Sequence, residues 1–297
     1  PRIFPVGAAT VGLEGAELAP MAELAAAGCV AISNDGKGVS SAEMFRRCME
    51  YAANYGLIVI DHCEDATLAK GAHMNEGKTS TALGIKGQSV VAEAAQVARD
   101  ILLAEYLGIP VHIAHVSCAQ SVELLAWAKS RGVPVTAETC PHYLLLDDTA
   151  LMGYEPNAKV NPPLRTPKDV AAVRAAVKSG VIDMLVTDHA PHAAHEKEVP
   201  LDEAPNGISG LDTAVTLTYA LIREGALDEA DGIRLWCEAP ARTFKLPRNG
   251  FEAGDPADFF LFDPQIVWTP GPQTMHSKSA NTPFLGRELR GRVCAHW

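Results

Sequence analysis

An apolar run, Val181-Ile182-Asp183-Met184-Leu185-Val186, gives way abruptly to Thr187-Asp188-His189-Ala190-Pro191-His192. The side chains change there from packing types to proton-transfer and ligand types, and Pro191 stops the strand that the apolar run predicts. Three other apolar runs end alike. Ala31-Ile32-Ser33 leads into Asn34-Asp35-Gly36, Val59-Ile60-Asp61 into His62-Cys63-Glu64-Asp65, and His112-Ile113-Ala114 into His115-Val116-Ser117. Two imidazoles, His62 and His115, and two carboxylates, Asp35 and Asp188, suit a hard-to-borderline divalent ion, zinc above all. A hydrolytic zinc site lowers the pKa of bound water, polarises a carbonyl and needs a nearby carboxylate to move protons.

Each of these residues has an ordinary reading when taken alone. A buried strand-end histidine often hydrogen-bonds backbone, and an aspartate before glycine, as at Asp35, is a common turn residue. Asp61, Glu64 and Asp65 read as solvated loop charges, Lys37 as a surface lysine, and Cys63 and Cys118 as small packing residues. His189 and His195 read equally well as loop residues. Side chains alternate along a strand, so His112 and His115, three apart, are expected to face opposite ways. His115, at the C-terminal end, is the better ligand, and His112 is expected to pack. The signal is the agreement of four separate strand ends.

The elements that bear these ends follow from hydrophobic pattern. Strand-like runs recur at residues 3–9, 29–33, 57–61, 110–115, 133–138 and 182–187, the fifth carrying Pro134 near its start, where a missing ladder donor is best tolerated. Helical stretches are predicted at 17–27, 41–55, 89–108, 119–131 and 167–180, then at about 210–225 and 229–244. Alternating strands and helices imply a parallel α/β sheet covered by helices. Six such units fit a doubly wound sheet or a (β/α)8 barrel missing two units, and in such a barrel the C-terminal strand ends carry the chemistry. The turn-rich stretch from Gly250 to Asp258 and the β-like residues 259–262 predict a small β appendage, giving two domains, 1–245 and 246–297.

The totals exclude several functions. A net charge of -11 argues against nucleic acid or an anionic membrane as the main partner. No apolar run approaches the roughly 20 residues that span a bilayer, and no charged-then-apolar leader is seen. The seven cysteines, at 29, 48, 63, 118, 140, 237 and 294, are an odd number with no CxxC pair, which fits a reduced, cytoplasmic chain.

Several of these stretches belong together in one known family. His62-Cys63-Glu64-Asp65, His115-Val116-Ser117, Lys159-Val160-Asn161-Pro162-Pro163-Leu164-Arg165, Thr187-Asp188-His189-Ala190-Pro191-His192 and Ser277-Lys278-Ser279-Ala280-Asn281-Thr282-Pro283-Phe284 resemble dihydroorotase of the amidohydrolase superfamily, in the bacterial type that pairs with aspartate carbamoyltransferase. The resemblance covers essentially the whole chain. It implies a metal-dependent (β/α)8 TIM-like barrel, here with six recognisable units, plus part of a small β-sandwich.

By that resemblance Asp35 is a metal ligand that usually bridges two ions, and His62 and His115 hold the second. Asp188 is both a ligand of the first ion and the catalytic acid/base. Asn161 and His192 match substrate contacts, and Asn206-Gly207 a pair whose backbone meets the substrate, although the family often has Phe at position 206. The implied cofactor is Zn2+, one or two per subunit. The implied reaction is reversible hydrolysis of the cyclic amide of dihydroorotate to N-carbamoyl-L-aspartate, in pyrimidine synthesis. Hydroxide generated at the metal attacks the ring carbonyl and Asp188 relays the proton.

The family's first strand ends in His-x-His-x-Arg, which supplies two ligands of the first ion and a substrate arginine, and no His-x-His occurs in this chain. The chain is therefore expected to be a fragment that opens at the family's third strand. Its expected partners are the small-molecule substrate, aspartate carbamoyltransferase and further copies of the chain. Two rivals stay open: another cyclic amidase, such as an allantoinase or hydantoinase, and a non-catalytic scaffold for aspartate carbamoyltransferase.

Overall fold

The computed structural model describes residues 2–297. In chain order the strands are β1 (Val6–Ala8), β2 (Ala31–Ser33), β3 (Ile58–Asp61), β4 (Met74–Asn75), β5 (Gly87–Gln88), β6 (Val111–Ile113), β7 (Val135–Thr139), β8 (Met184–Leu185), β9 (Phe260–Trp268) and β10 (Leu289–His296). Six of them form one all-parallel sheet in the order β1-β2-β3-β6-β7-β8. These fall on the six predicted strand runs, mostly shorter than predicted, with β7 reaching one residue further to Thr139, and they rise in sequence order around the sheet as a (β/α) barrel requires.

The helices between them form for local reasons. Ala42–Ala53 is opened by Ser41, whose Oγ accepts from Met44 N at 3.2 Å, and it buries Phe45, Cys48, Met49 and Ala52 on one face. Val91–Leu107 buries Ala94, Val97, Ile101 and Ala104 and stops at Gly108, whose φ of 63° favours glycine. Pro167–Ser179 starts with Pro167 in its first turn and the Thr166–Asp169 reciprocal cap. Val97 and Ile101 pack in one apolar cluster with Val59, Val111 and Ile113 of the sheet. Burying each such side chain contributes roughly 1.5–3 kcal/mol, so the sheet is anchored on its helix-covered side and its strand ends are free to carry polar residues.

Three differences from the sequence expectation have physical causes. Residues 62–88, for which the pattern predicts no element, contain the short helices Ala66–Ala69 and Lys78–Leu83 and the parallel pair β4–β5. Strands of two residues show no periodicity to read. The helix predicted at 229–244 is Glu229–Ile233, a π-helical turn Arg234–Glu238 and Ala239–Thr243. Pro240 lacks an N–H and crowds the carbonyl four residues back, which widens that turn. The β-like run predicted at 259–262 is longer than predicted, β9 reaching Trp268, because it pairs antiparallel with the distant β10, with two register shifts. No helix among the described residues is long and apolar enough to cross a membrane.

Candidate metal centre and active site

Asp35, in the turn after β2, places Oδ1 3.3 Å from His115 Nε2 and 3.6 Å from His62 Nδ1. The two ring nitrogens themselves are 2.8 Å apart. His62 follows β3 and His115 lies beyond β6, so three neighbouring strand ends converge on one point. Both imidazoles are buried, whereas the Asp35 side chain is 60% exposed and opens the cluster to solvent. Hydrogen bonds from His115 and then His62 hold the Asp35 carboxyl well below the usual carboxylate range. Burial alone would lower His62, but its bonds to Asp35 and Glu64 carry it up to about 10. His115 is also raised, burial opposing and the Asp35 contact prevailing.

An O,N,N donor set converging within 4.8 Å suits a divalent cation. His115 Nδ1 is buried without a hydrogen-bond partner, so the ring is held by Nε2 and its packing alone. The cluster fits a metal, and without one it retains a proton that a metal must displace. Zinc affinity is therefore expected to rise with pH, about tenfold per unit for one displaced proton, until His62 has lost its proton near pH 10. Chelator-competition titrations at several pH values would check this, and a pH-independent affinity would show that the pair carries no proton.

Asp188, beyond β8, lines a cavity of about 270 Å³ together with Ser33, Asp35, His115, Glu138 and Val186. Its carboxyl is raised above its ordinary value by burial, with the attraction of His115 opposing. Asp188 and His115 both adopt positive φ, 44° and 35°. That conformation is uncommon for residues with a Cβ and concentrates at functional sites. It also corrects the alternation argument. His112 bonds Thr136 Oγ1 at 2.7 Å and Glu138 Oε2 at 2.9 Å, and Glu138 lines this same cavity. Strict alternation would then turn His115 away from the cavity, but β6 ends at Ile113 and the left-handed backbone at 115 turns the ring back. His112 packs as expected, fully buried and against Phe244.

Asn161 joins the cluster directly. Its Nδ2 lies 3.2 Å from His62 Nε2 and donates to Glu64 Oε2 at 2.7 Å. Glu64 is thus no free loop charge, and neither is Asp61, which is 1% exposed and bound by Arg99 at 2.9 Å. Lys37 is an exposed surface lysine as expected, and Asp65 is the partly buried cap of a short helix.

His192, Asn206 and Gly207 form a second group. His192 Nε2 bonds Asn206 O at 2.9 Å, and Gly207 N donates to Lys159 O at 2.9 Å, two residues from Asn161. Gly207 has φ 139°, and a Cβ there would sit 2.6 Å from Ala190 Cβ and 3.0 Å from His192 Nε2. Gly207→Ala is therefore expected to destabilise the chain by about 1–3 kcal/mol and to raise KM by displacing the 188–192 loop, as thermal melts and steady-state kinetics would show.

Sequence reasoning assigned no role to four residues that hold these groups in place: Glu64, Gln88, Arg165 and Asn281. Gln88 Nε2 bonds both Glu64 Oε2 at 2.9 Å and Asn161 Oδ1 at 3.2 Å. Arg165, 1% exposed, donates to Gln88 Oε1 at 2.9 Å and so fixes that amide. Asn281 bonds His192 N, Ala190 O and Gly207 O, tying the C-terminal segment to both loops. Arg165 and Asn281 stand inside recognisable motifs; Glu64 and Gln88 offer no signal beyond their type.

The family described as Dihydro-orotase-like matches residues 2–121. A dihydroorotase of Syntrophotalea carbinolica is 46% identical over 292 residues, 98% of this chain and 69% of that protein. A dihydroorotase of Trichlorobacter lovleyi is 48% identical over 290 residues, 98% of this chain and 68% of that protein. The chain belongs to the dihydroorotase family.

The chain spans just over two thirds of the length of these dihydroorotases. Among solved structures, L-hydantoinase from Arthrobacter aurescens superposes with a TM-score of 0.85 at 25% identity, covering 99% of this chain and 68% of that one. A dihydropyrimidinase from Brevibacillus agri superposes with a TM-score of 0.80 at 24% identity, covering 93% of this chain and 65% of that one, which bears on the fold alone. The six-stranded parallel sheet of this dihydroorotase chain is thus the metal-dependent hydrolase barrel of cyclic amidases, in its six-unit extent.

Proposed function

We propose that the site opens and closes the cyclic amide of dihydroorotate, interconverting it with N-carbamoyl-L-aspartate. The observation that carries this is the placement of Asp188 in one cavity with Asp35 and His115, in a chain nearly half identical to dihydroorotases. Zinc held by Asp35, His62 and His115 would supply Lewis acidity toward the amide carbonyl and a more acidic water. Asp188 takes a proton from the attacking water and returns it to the departing ring nitrogen. Burial supports that role, because a carboxyl raised above its ordinary value returns a proton more readily near neutral pH. Asn161, steadied by Glu64 and Gln88, orients the substrate from one side, and His192 with the Asn206–Gly207 backbone from the other.

The same reading divides the chain into a barrel over 1–245 and a small β unit over 246–297. Association with aspartate carbamoyltransferase or with further copies belongs to that reading as well.

A second reading, hydantoin hydrolysis, has only the superposition on L-hydantoinase at 25% identity behind it, against 46–48% identity to dihydroorotases. Turnover of dihydroorotate and hydantoin by the zinc-loaded chain separates the two. Dihydroorotate is expected to be preferred by about 100-fold or more, since a site built for a polar substituent discriminates strongly against a ligand lacking it. Preference for hydantoin would overturn the proposal, and no turnover of either by a folded, zinc-loaded chain would favour a scaffold.

A further inference from the structure

After Asp188 the chain makes an excursion over residues 190–207, closed at its base by a parallel bridge between His189 and Ile208. Near its two ends lie His192 and Asn206–Gly207. Its middle has little regular structure: the short helix Ala194–Lys197, then a turn in which Glu203 N and Ala204 N both donate to Pro200 O at 2.9 Å. Leu201 is buried in the apolar cluster with Tyr143 and Ile208. An irregular backbone that is buried must find donors for its carbonyls outside any ladder.

Side chains supply those donors, one carbonyl at a time. Ala204 O accepts from Lys159 Nζ at 2.6 Å, Pro205 O from Lys197 Nζ at 2.7 Å, Asn206 O from His192 Nε2 at 2.9 Å and Gly207 O from Asn281 Nδ2 at 3.0 Å. Lys159 Nζ also holds Leu201 O at 2.7 Å and Asp202 O at 3.2 Å, which accounts for its three N–H groups. Lys197 Nζ also holds Pro156 O at 3.1 Å. The two lysines reach across one gap in opposite directions, Lys159 from beside Asn161 into the excursion and Lys197 from the excursion back to residue 156. Both are buried, 3% and 4% exposed. Burial lowers Lys159 and brings Lys197 down to about 8, so each ammonium is kept there against the loss of its hydration. On its other side the excursion borders a cavity of about 790 Å³ lined by Pro156, His192, Lys197 and Leu201. Apolar packing does not fix that side, and the position of the backbone there depends on the lysine contacts.

We infer that Lys197, together with Lys159, is a positioning residue for the reaction: the pair clamps the excursion so that His192 and the Asn206–Gly207 backbone face the substrate opposite Asn161. The inference rests on the proposed reading of those residues as substrate contacts. No proton transfer passes through either lysine. A carbonyl deprived of its ammonium would turn toward the cavity and its water, and residues 204–207 would move with it.

Hydrogen exchange of the chain, read peptide by peptide, tests this in Lys197→Met, which keeps the apolar stem and removes the donors. Exchange over residues 198–207 is expected to rise about tenfold or more. The β7–β8 amides, such as Val186 N bonded to Thr139 O at 3.0 Å, should keep their protection. Lys197→Arg, which returns charged donors, should recover most of the loss. In turnover of dihydroorotate, Lys197→Met should raise KM about tenfold or more with kcat within about threefold, because a displaced binding backbone weakens substrate and transition state alike. Unchanged exchange at 198–207, a rise shared equally by the sheet, or loss of the fold in Lys197→Met would overturn the inference. So would exchange in Lys197→Arg no slower than in Lys197→Met, or a fall in kcat with KM unchanged. The exchange result does not depend on which cyclic amide is turned over, so its failure is distinct from failure of the proposed reaction.

Discussion

Replacing Asp188 by Asn is expected to lower dihydroorotate hydrolysis by about 10²–10⁴-fold, the range that a positioned general acid–base contributes. The substitution is nearly isosteric, so the cavity that Asp188 shares with Asp35 and His115 keeps its shape. What it removes is a group able to take and return a proton. The amide also tolerates the positive φ of 44° at this position, because asparagine visits the left-handed region more readily than most residues. The loss should therefore fall on kcat with an unchanged fold. Absorbance kinetics beside circular dichroism would show it, and a variant retaining more than a tenth of the wild-type rate would remove Asp188 from the proposed role.

His115→Ala is expected to weaken zinc binding at the Asp35 cluster by more than about 100-fold, since even the loss of a group that merely orients a ligand costs 10–100-fold. Three donors converge there, and His115 Nε2 makes the two shortest contacts among them, 3.3 Å to Asp35 Oδ1 and 2.8 Å to His62 Nδ1. Without it, two donors remain and the tetrahedral set cannot be completed from this chain's cluster. Activity should fall in parallel with bound metal. Equilibrium dialysis with elemental analysis reads the metal directly. The ring is also buried, so its removal leaves a void that should lower thermal stability. Zinc retained at wild-type affinity would mean that the ion is held elsewhere.

These two expectations rest on residues that are legible in the amino-acid sequence, because strand-end chemistry is a local signal. An apolar run specifies a strand, and the residue types that follow it specify what the strand end can do. The six parallel strands, the capped helices at Ala42–Ala53 and Pro167–Ser179 and the ligand types of Asp35, His62, His115 and Asp188 are all readable in that way.

Orientation and partnership are decided only by the fold. Alternation predicts opposite faces for His112 and His115, but the left-handed backbone at 115, which no local pattern announces, returns the ring to the cavity. Glu64 and Gln88 read as ordinary polar residues, and only the approach of Arg165 and Asn161 from more than 70 positions away makes them part of the site. Residue type determines which chemistry is available, because it is intrinsic to each side chain. Which groups meet depends on long-range strand register and on a few strained dihedrals, and those are set by the packing of the whole sheet.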